Sequence, residues 1–277
     1  MLSRFCIVLL AAIYTPGSVA LHGADRPLTV AVVADGATHD DREPLRAYLT
    51  KAMGRPVNVA APDSYRETVN HLADSSYDFA CLGALVYIRA HAKYGVVPLV
   101  QRASDLQYHS VFITAAASSI HSVSDLKGKQ FAFGDIDSTS AHLMPYRELK
   151  RAGINPETDL KFRYSGSHPA TAAMVETGIV DAGALDEMVF RFLIDGGKLD
   201  AKKVRVFHIS APYLDYVWVA RKDVSKDKQQ QFARALLDLK EGTDDAILKI
   251  LRARHFVIAN DEEYQITRHV AHEQGMF

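Results

Sequence analysis

The order strand, helix, strand, helix, strand occurs twice along this sequence, and that repetition admits few folds. The apolar run 28–34 reads as a buried strand ended by Asp35-Gly36. Leu45, Leu49 and Met53 share one face of a helix expected over 38–53, with Gly54 as its stop. A strand at 57–60, a helix reaching Ala73, a strand at 77–82, a helix over 83–93 and a strand at 96–101 follow. The second round opens with a strand at 131–134 and a helix over 140–152, which sets Gly54 against Gly153 at an offset of 99. It continues through a strand at 160–164, a helix over 169–177 and a strand at 179–184. Tyr65 precedes Asp78 by thirteen residues and His168 precedes Asp181 by thirteen, so Ser64-Tyr65 and Ser167-His168 occupy equivalent loops. Strands alternating with helices predict an α/β chain with a mostly parallel sheet flanked by helices in each half.

Two further extended runs connect the halves, 107–114 on the way out and 204–209 with 213–220 on the way back. Helices expected over 226–241 and 243–252 then complete the first half. The expectation is a hinged clamshell. Residues 26–110 with 213–277 make one lobe, and 111–212 make the other. A chain of 277 residues that is 48% hydrophobic can bury a core in each.

The N-terminus reads as an export signal. Arg4 precedes an apolar run at 5–14, then Ser18-Val19-Ala20 forms a small-x-small cleavage site, so residues 1–20 are expected to be removed near Ala20. About ten apolar residues are too few to cross a bilayer. After cleavage Cys81 is the one cysteine left, which rules out an internal disulfide. A net charge of −1 and a pI near 6.9 supply no basic field for nucleic acid or a membrane surface. The expected product is a soluble exported protein, expected to be monomeric.

The chemistry concentrates between the lobes, at loops that leave strand ends and enter helices. Ser138, Thr139 and Ser140 stand where the helix of the second round begins. A helix start offers unpaired backbone N–H groups and the positive end of the macrodipole, which suits an anion. A Glu or Gln three residues after a capping serine would fill that end. Here those positions hold Ala141 and Leu143, whereas the matching helix of the first half carries Asp40, Asp41 and Glu43. The ordinary alternative is a plain serine N-cap. His168 could equally be a packed or capping histidine, and Asp215 a residue of the hinge strand. Tyr65 and Tyr108 could be core aromatics, and Cys81 a small buried apolar group.

Four motifs carry a resemblance: Leu126-Lys-Gly-Lys-Gln-Phe-Ala-Phe-Gly-Asp-Ile-Asp-Ser-Thr-Ser140, Tyr164-Ser-Gly-Ser-His168, Val180-Asp-Ala-Gly-Ala-Leu-Asp-Glu187 and Asp215-Tyr-Val-Trp218. Over about 28–220 the chain resembles the periplasmic phosphate, phosphite and phosphonate-binding proteins that serve ABC transporters. The resemblance implies the type II periplasmic-binding-protein clamshell and delivery of the ligand to a permease. It implies that Ser138, Thr139, Ser140 and His168 hold a phosphorus oxyanion, while Tyr65, Tyr108 and Asp215 close the pocket from the other lobe and the hinge. Two positions depart from the pattern. Met188 stands where aminophosphonate-binding members place a carboxylate, and Cys81 stands where an aromatic is usual, with Ala84 in place of a proline.

An enzyme reading would make Ser138 or Ser140 a nucleophile with His168 as base and Asp186 or Asp215 as orienter. The chain has no Gly-x-Ser-x-Gly elbow, no His-Glu-x-x-His and no phosphate-loop lysine, so neither catalysis nor a metal or cofactor is expected. The other competitor is a periplasmic sensor of arsenite. It would bind through the Cys81 thiol and dock on a membrane histidine kinase.

Overall fold

The computed structural model describes residues 26–33 and 41–277. The expected export signal and the expected start of the first helix at 38–40 lie outside them. The first half runs β1 (Leu28–Ala31), α1 (Glu43–Met53), β2 (Val57–Ala60), α2 (Tyr65–Ala73), β3 (Phe79–Leu82), α3 (Ala84–Tyr94) and β4 (Val97–Arg102). The second half runs β5 (Ser110–Ala115), β6 (Gln130–Phe133), α4 (Met144–Arg151), α5 (Pro156–Asp159), β7 (Lys161–Tyr164), α6 (His168–Glu176), β8 (Ala182–Asp186), α7 (Glu187–Asp195) and β9 (Val204–Ile209). The chain then returns through β10 (Val217–Ala220), α8 (Lys226–Leu237), α9 (Asp245–Leu251), β11 (Phe256–Ile258) and α10 (Gln265–Glu273).

Two sheets result, ordered β11-β4-β10-β3-β1-β2 and β7-β6-β8-β5-β9. Both are mixed. β1, β2 and β3 are parallel, as are β6, β7 and β8, but β10 lies antiparallel between β3 and β4, and β5 antiparallel between β8 and β9. At the edge β11 also runs antiparallel, to β4. β10 and β5 are the strands that cross between halves. Each enters its sheet from the hinge end and so runs against its neighbours. Tyr108 and Tyr213 join the two crossings by a pair of backbone hydrogen bonds of 2.8 and 3.0 Å.

The internal repeat extends to single hydrogen bonds. Asp78 accepts the Thr29 N–H at 2.9 Å through its carboxylate, and Asp181 accepts the Gln130 N–H at 2.8 Å in the same way. Ser64 caps α2 by accepting the Glu67 N–H, and Ser167 caps α6 by accepting the Ala170 N–H. Both caps turn the chain sharply from strand to helix, which keeps Tyr65 and His168 at the sheet ends. Gly54 and Gly153 take left-handed φ values of 60° and 78° just past α1 and α4, as helix stops do.

Several bounds differ from the expected ones. α1 begins at Glu43, later than 38, and its first N–H groups meet acid as expected: Asp41 accepts from the Glu43 N–H at 3.0 Å. The helix expected over 140–152 is α-helical only over Met144–Arg151, because Pro145 has no N–H to donate back to Ala141. The preceding turn, Thr139–Leu143, widens to i→i+5 bonding. β11 and α10, which the sequence reading missed, close the edge of the first sheet and cover α3. Among the described residues no helix is long and apolar enough to cross a membrane.

α6 lies unusually close to β8. A Cβ on Gly183 would sit 2.6 Å from Thr171 Cγ2 and 3.0 Å from the Ala132 carbonyl oxygen. Gly183→Ala should therefore destabilise the protein by about 1–3 kcal/mol as the helix is pushed off the sheet. Chemical denaturation checks this, and a midpoint equal to that of the wild type would show that the contact yields freely.

Candidate functional site

Ser138, Thr139 and Ser140 are buried at the end of β6. Gly134 bends the chain there by donating its N–H to the Ala141 carbonyl at 3.0 Å, an acceptor that Pro145 leaves unused. A Cβ on Gly134 would lie 2.5 Å from Ala141 Cβ, so the turn closes only on glycine. Ser138 Oγ accepts the Ala141 N–H at 3.0 Å. The plain cap reading therefore holds for its oxygen, and its proton is left to donate.

The opposing surface is the start of α3. Gly83 provides no capping side chain, and the first turn holds no acid. The Leu85 N–H donates to Thr139 Oγ1 at 2.9 Å, and the Ala84 N–H donates to Asp215 Oδ1 at 3.0 Å, both buried. Two helix starts, one from each sheet, thus face each other across Thr139 and Asp215. Sequence reasoning missed the α3 contribution, although the signal was the one used for 138–140, a helix start with no carboxylate to fill it.

Two oxygens in this cleft stay unsatisfied. Ser140 Oγ and Asp215 Oδ2 are buried with no partner at good hydrogen-bond geometry, although Ser140 approaches the Tyr213 hydroxyl and Asp215 approaches Thr139; an unmade buried bond costs about 1–3 kcal/mol per group. Both lie close enough to Tyr213 to affect its ionisation. Burial pushes the Asp215 carboxyl well above the usual carboxylate range. Against burial works the Ala84 N–H, while Asp186 and Asp105 push further upward.

His168 opens α6 and is buried. Its Nδ1 accepts the Asp186 N–H at 3.2 Å, which places the proton of the neutral ring on Nε2 and makes that nitrogen a donor. Asp186 caps α7 by accepting the Val189 N–H at 2.8 Å, and its other oxygen accepts from the Tyr216 hydroxyl at 3.2 Å and from the Tyr108 hydroxyl. Tyr108 therefore stands at the hinge as expected, with its hydroxyl held by Asp186. Tyr65 is buried at the start of α2, close enough to Tyr216 to act on its ionisation.

Cys81 is placed elsewhere. It pairs with Trp218 across β3 and β10 and lines a cavity of about 20 Å³ with Val32, Arg102, Trp218, Leu251 and Arg252, so the structure does not gather it with Ser138–Ser140. In a strand with alternating faces, Cys81 turns away from the side used by its neighbours. Among the described residues no group of three His, Cys, Asp or Glu side chains is arranged to hold a metal. Donors dominate the cleft, joined by one carboxyl whose ionisation is disfavoured. Such a set matches a small tetrahedral oxyanion with a shared proton.

The family model described as ABC transporter, phosphonate, periplasmic substrate-binding protein matches residues 30–264. A probable phosphite-binding protein of an ABC transporter, PhnD1 of Prochlorococcus marinus, is 29% identical over 232 residues, 78% of each chain. A phosphate-import protein, PhnD of Mycolicibacterium smegmatis, is 27% identical over 215 residues, 70% of this chain and 67% of that one. The solved structure of the Prochlorococcus protein with methylphosphonate superposes with a TM-score of 0.81 at 25% identity, covering 90% of this chain and 98% of that one. A binding component of a phosphonate transporter from Pseudomonas aeruginosa shares the fold, with a TM-score of 0.81 at 18% identity, over 91% and 87%.

The raised Asp215 carboxyl has a signed consequence for stability. Its contribution to the folded state is complete below the unfolded value of about 3.9 and is lost as pH rises through the folded value. Asp215→Asn cannot ionise and should escape that loss. In thermal unfolding without ligand, the variant should gain on the wild type as pH rises above about 4. A difference that stays constant with pH would mean that Asp215 ionises as freely as in water.

Proposed function

The chain belongs to the periplasmic phosphonate-binding family of ABC transporters, and from that premise we propose that it captures a phosphonate, phosphite or phosphate between its two lobes. The observation that carries the reading is the pair of facing helix starts with Ser140 Oγ and Asp215 Oδ2 buried and unpaired between them. An anion seated there gives Ser140 an acceptor. It gives Asp215 a partner as well, provided one proton lies between the carboxyl and the ligand. Thr139, the Ser138 hydroxyl proton and His168 Nε2 supply further donors, and Tyr65 and Tyr108 wall the cleft from the first lobe and the hinge. Residues 26–110 with 213–277 form one lobe and 111–212 the other. The protein is exported by its first 20 residues, acts as a monomer without catalysis, and hands the ligand to the permease of its transporter.

Met188 is partly buried against the core of the first half and offers no charge to an amine. The Prochlorococcus relative is seen with methylphosphonate, whose substituent on phosphorus is small and apolar and carries no amine. No observation favours arsenite sensing. Cys81 is the one cysteine among the described residues and lines a different cavity, and a single thiol is a poor arsenic site.

A thermal-shift and calorimetry panel of phosphite, methylphosphonate, phosphate, aminoethylphosphonate and arsenite tests the reading. A ligand at 100 times its Kd should add about 2.7 kcal/mol of stability. Ser140→Ala should leave ligand-free stability unchanged or improved, since it removes an unpaired buried hydroxyl. It should weaken oxyanion binding by about 1.5–3 kcal/mol, the value of a hydrogen bond to a charged group. Cys81→Ser should leave the affinity within about twofold, a change of under 0.5 kcal/mol. Stabilisation of the wild type by arsenite alone, lost in Cys81→Ser, would refute the proposal.

A further inference from the structure

Helix α3 touches the second half at two levels. Its first turn donates the Leu85 N–H to Thr139. One turn later, on the same face, Arg89 Nη1 bonds Asp137 Oδ1 at 2.6 Å. Asp137 immediately precedes the Ser138–Ser140 turn. The pair therefore spans the two sheets at the rim of the cleft, one helical turn outside the proposed anion position.

Both partners are held before they meet. Arg89 Nε donates to the Met276 carbonyl at 2.8 Å, and Nη2 donates to the same oxygen, so the guanidinium is fixed by the chain after α10. Asp137 sits in a braced loop. Its N–H donates to Asp135 Oδ1 at 2.7 Å, the Ser138 N–H donates to the Asp135 carbonyl at 3.0 Å, and His142 Nδ1 bonds the Ile136 carbonyl at 2.7 Å. Burial holds His142 below the usual histidine range, so the ring stays neutral and donates one proton to that carbonyl. An ion pair between two loose surface side chains contributes little, because ordering both ends costs what the attraction returns. Here the ordering is largely done in advance by backbone contacts, and the side chains are only 35% and 25% exposed.

We propose that Arg89–Asp137 is a closure latch: it forms when the lobes meet, touches no ligand atom, and sets how long a bound oxyanion stays. The latch rests on the proposed oxyanion function for its effect on affinity, but closure itself can be followed without any ligand. Because the pair is made only after the cleft shuts, its loss should appear in the rate of release and leave the rate of capture nearly unchanged.

Asp137→Asn is the cleaner variant, since the side chain bonds Arg89 while the loop is braced by backbone groups. Arg89→Gln removes the other half, and Arg89→Lys keeps the charge without the fork to Met276. With phosphite as probe, Asp137→Asn and Arg89→Gln should each raise koff by about fivefold, near the upper limit for such a pair. The double variant should be no worse than either single one, Arg89→Lys should fall between, and 1 M salt should erase most of the difference. Ligand-free melting should not change for Asp137→Asn, which separates a latch from a fold defect.

A second readout needs no ligand. Spin labels on Lys51→Cys and Lys161→Cys, both exposed and one in each half, report the distance between lobes. Asp137→Asn should shrink the closed population relative to the wild type. If phosphite fails to bind the wild type, the functional reading falls, and the distance measurement still decides the latch. Identical koff values in wild type and variants, identical distance distributions, or a wild type that never populates the closed distance would each overturn it.

Discussion

At the start of α3 the Leu85 N–H reaches a hydroxyl of the second half, Thr139, while the Ala84 N–H is met by the hinge carboxyl Asp215. The first turn of a helix has no internal acceptors for its N–H groups, and burying them unpaired would cost about 1–3 kcal/mol each. This arrangement depends on Thr139 and Asp215 both being in place. The helix starts that follow β1, β3, β6 and β8 divide in a telling way. α1 meets Asp41 and Glu43, and α7 is capped by Asp186, so two positive ends are filled by the chain's own acids. α3 and the turn at Thr139 carry no acid, and these two face each other. One helix end in each half is thus neutralised and one is left available, in swapped positions of the repeat.

Behind this cleft lies a hinge that tolerates very little rearrangement. Arg102 and Asp105 form a fully buried ion pair at 2.7 Å, and the Arg102 guanidinium lies 4.9 Å from the Tyr216 ring. Tyr216 and Tyr108 both donate to Asp186, whose N–H in turn orients His168. Breaking a buried pair of this kind leaves an uncompensated charge and costs more than the pair itself contributes. The network joins the crossing strands, the start of α7 and a proposed ligand-binding histidine in one connected set of hydrogen bonds. Beside Tyr108 and Tyr213 two backbone bonds hold the crossings together.

Much of this was legible in the residues. Period and turn chemistry placed β2, α2 and β9 within one residue of their bounds, and the thirteen-residue spacing from Tyr65 to Asp78 and from His168 to Asp181 marks loops that proved equivalent down to their serine caps. What escaped depends on contacts distant in sequence. β11 is three residues long and exists because β4 offers it an edge. The wide turn at Thr139–Leu143 follows from Pro145, a local cause, but its use depends on Gly134 reaching Ala141. Asp186 reads in sequence as one more acid after a strand, and only the fold gives it two tyrosine hydroxyls. Cys81 was singled out for its chemistry, yet strand alternation turns it toward Trp218 and Arg102.

A protein with a net charge of −1 has no long-range field to draw an anion, so everything must be done by oriented groups inside the cleft. Oriented dipoles serve well there because a buried position strengthens them and salt hardly screens them. The same burial makes a second negative charge expensive, and Asp215 supplies one if it ionises. Burial pushes its carboxyl upward, which favours the protonated form there. A tetrahedral oxyanion can enter by sharing that proton with Asp215 or by bringing its own. On the proposed function, the complex would hold one proton between two groups of oxygens, and a fully ionised ligand beside a fully ionised Asp215 would be the disfavoured combination. Recognition of charge and recognition of protonation state are then the work of the same buried carboxyl.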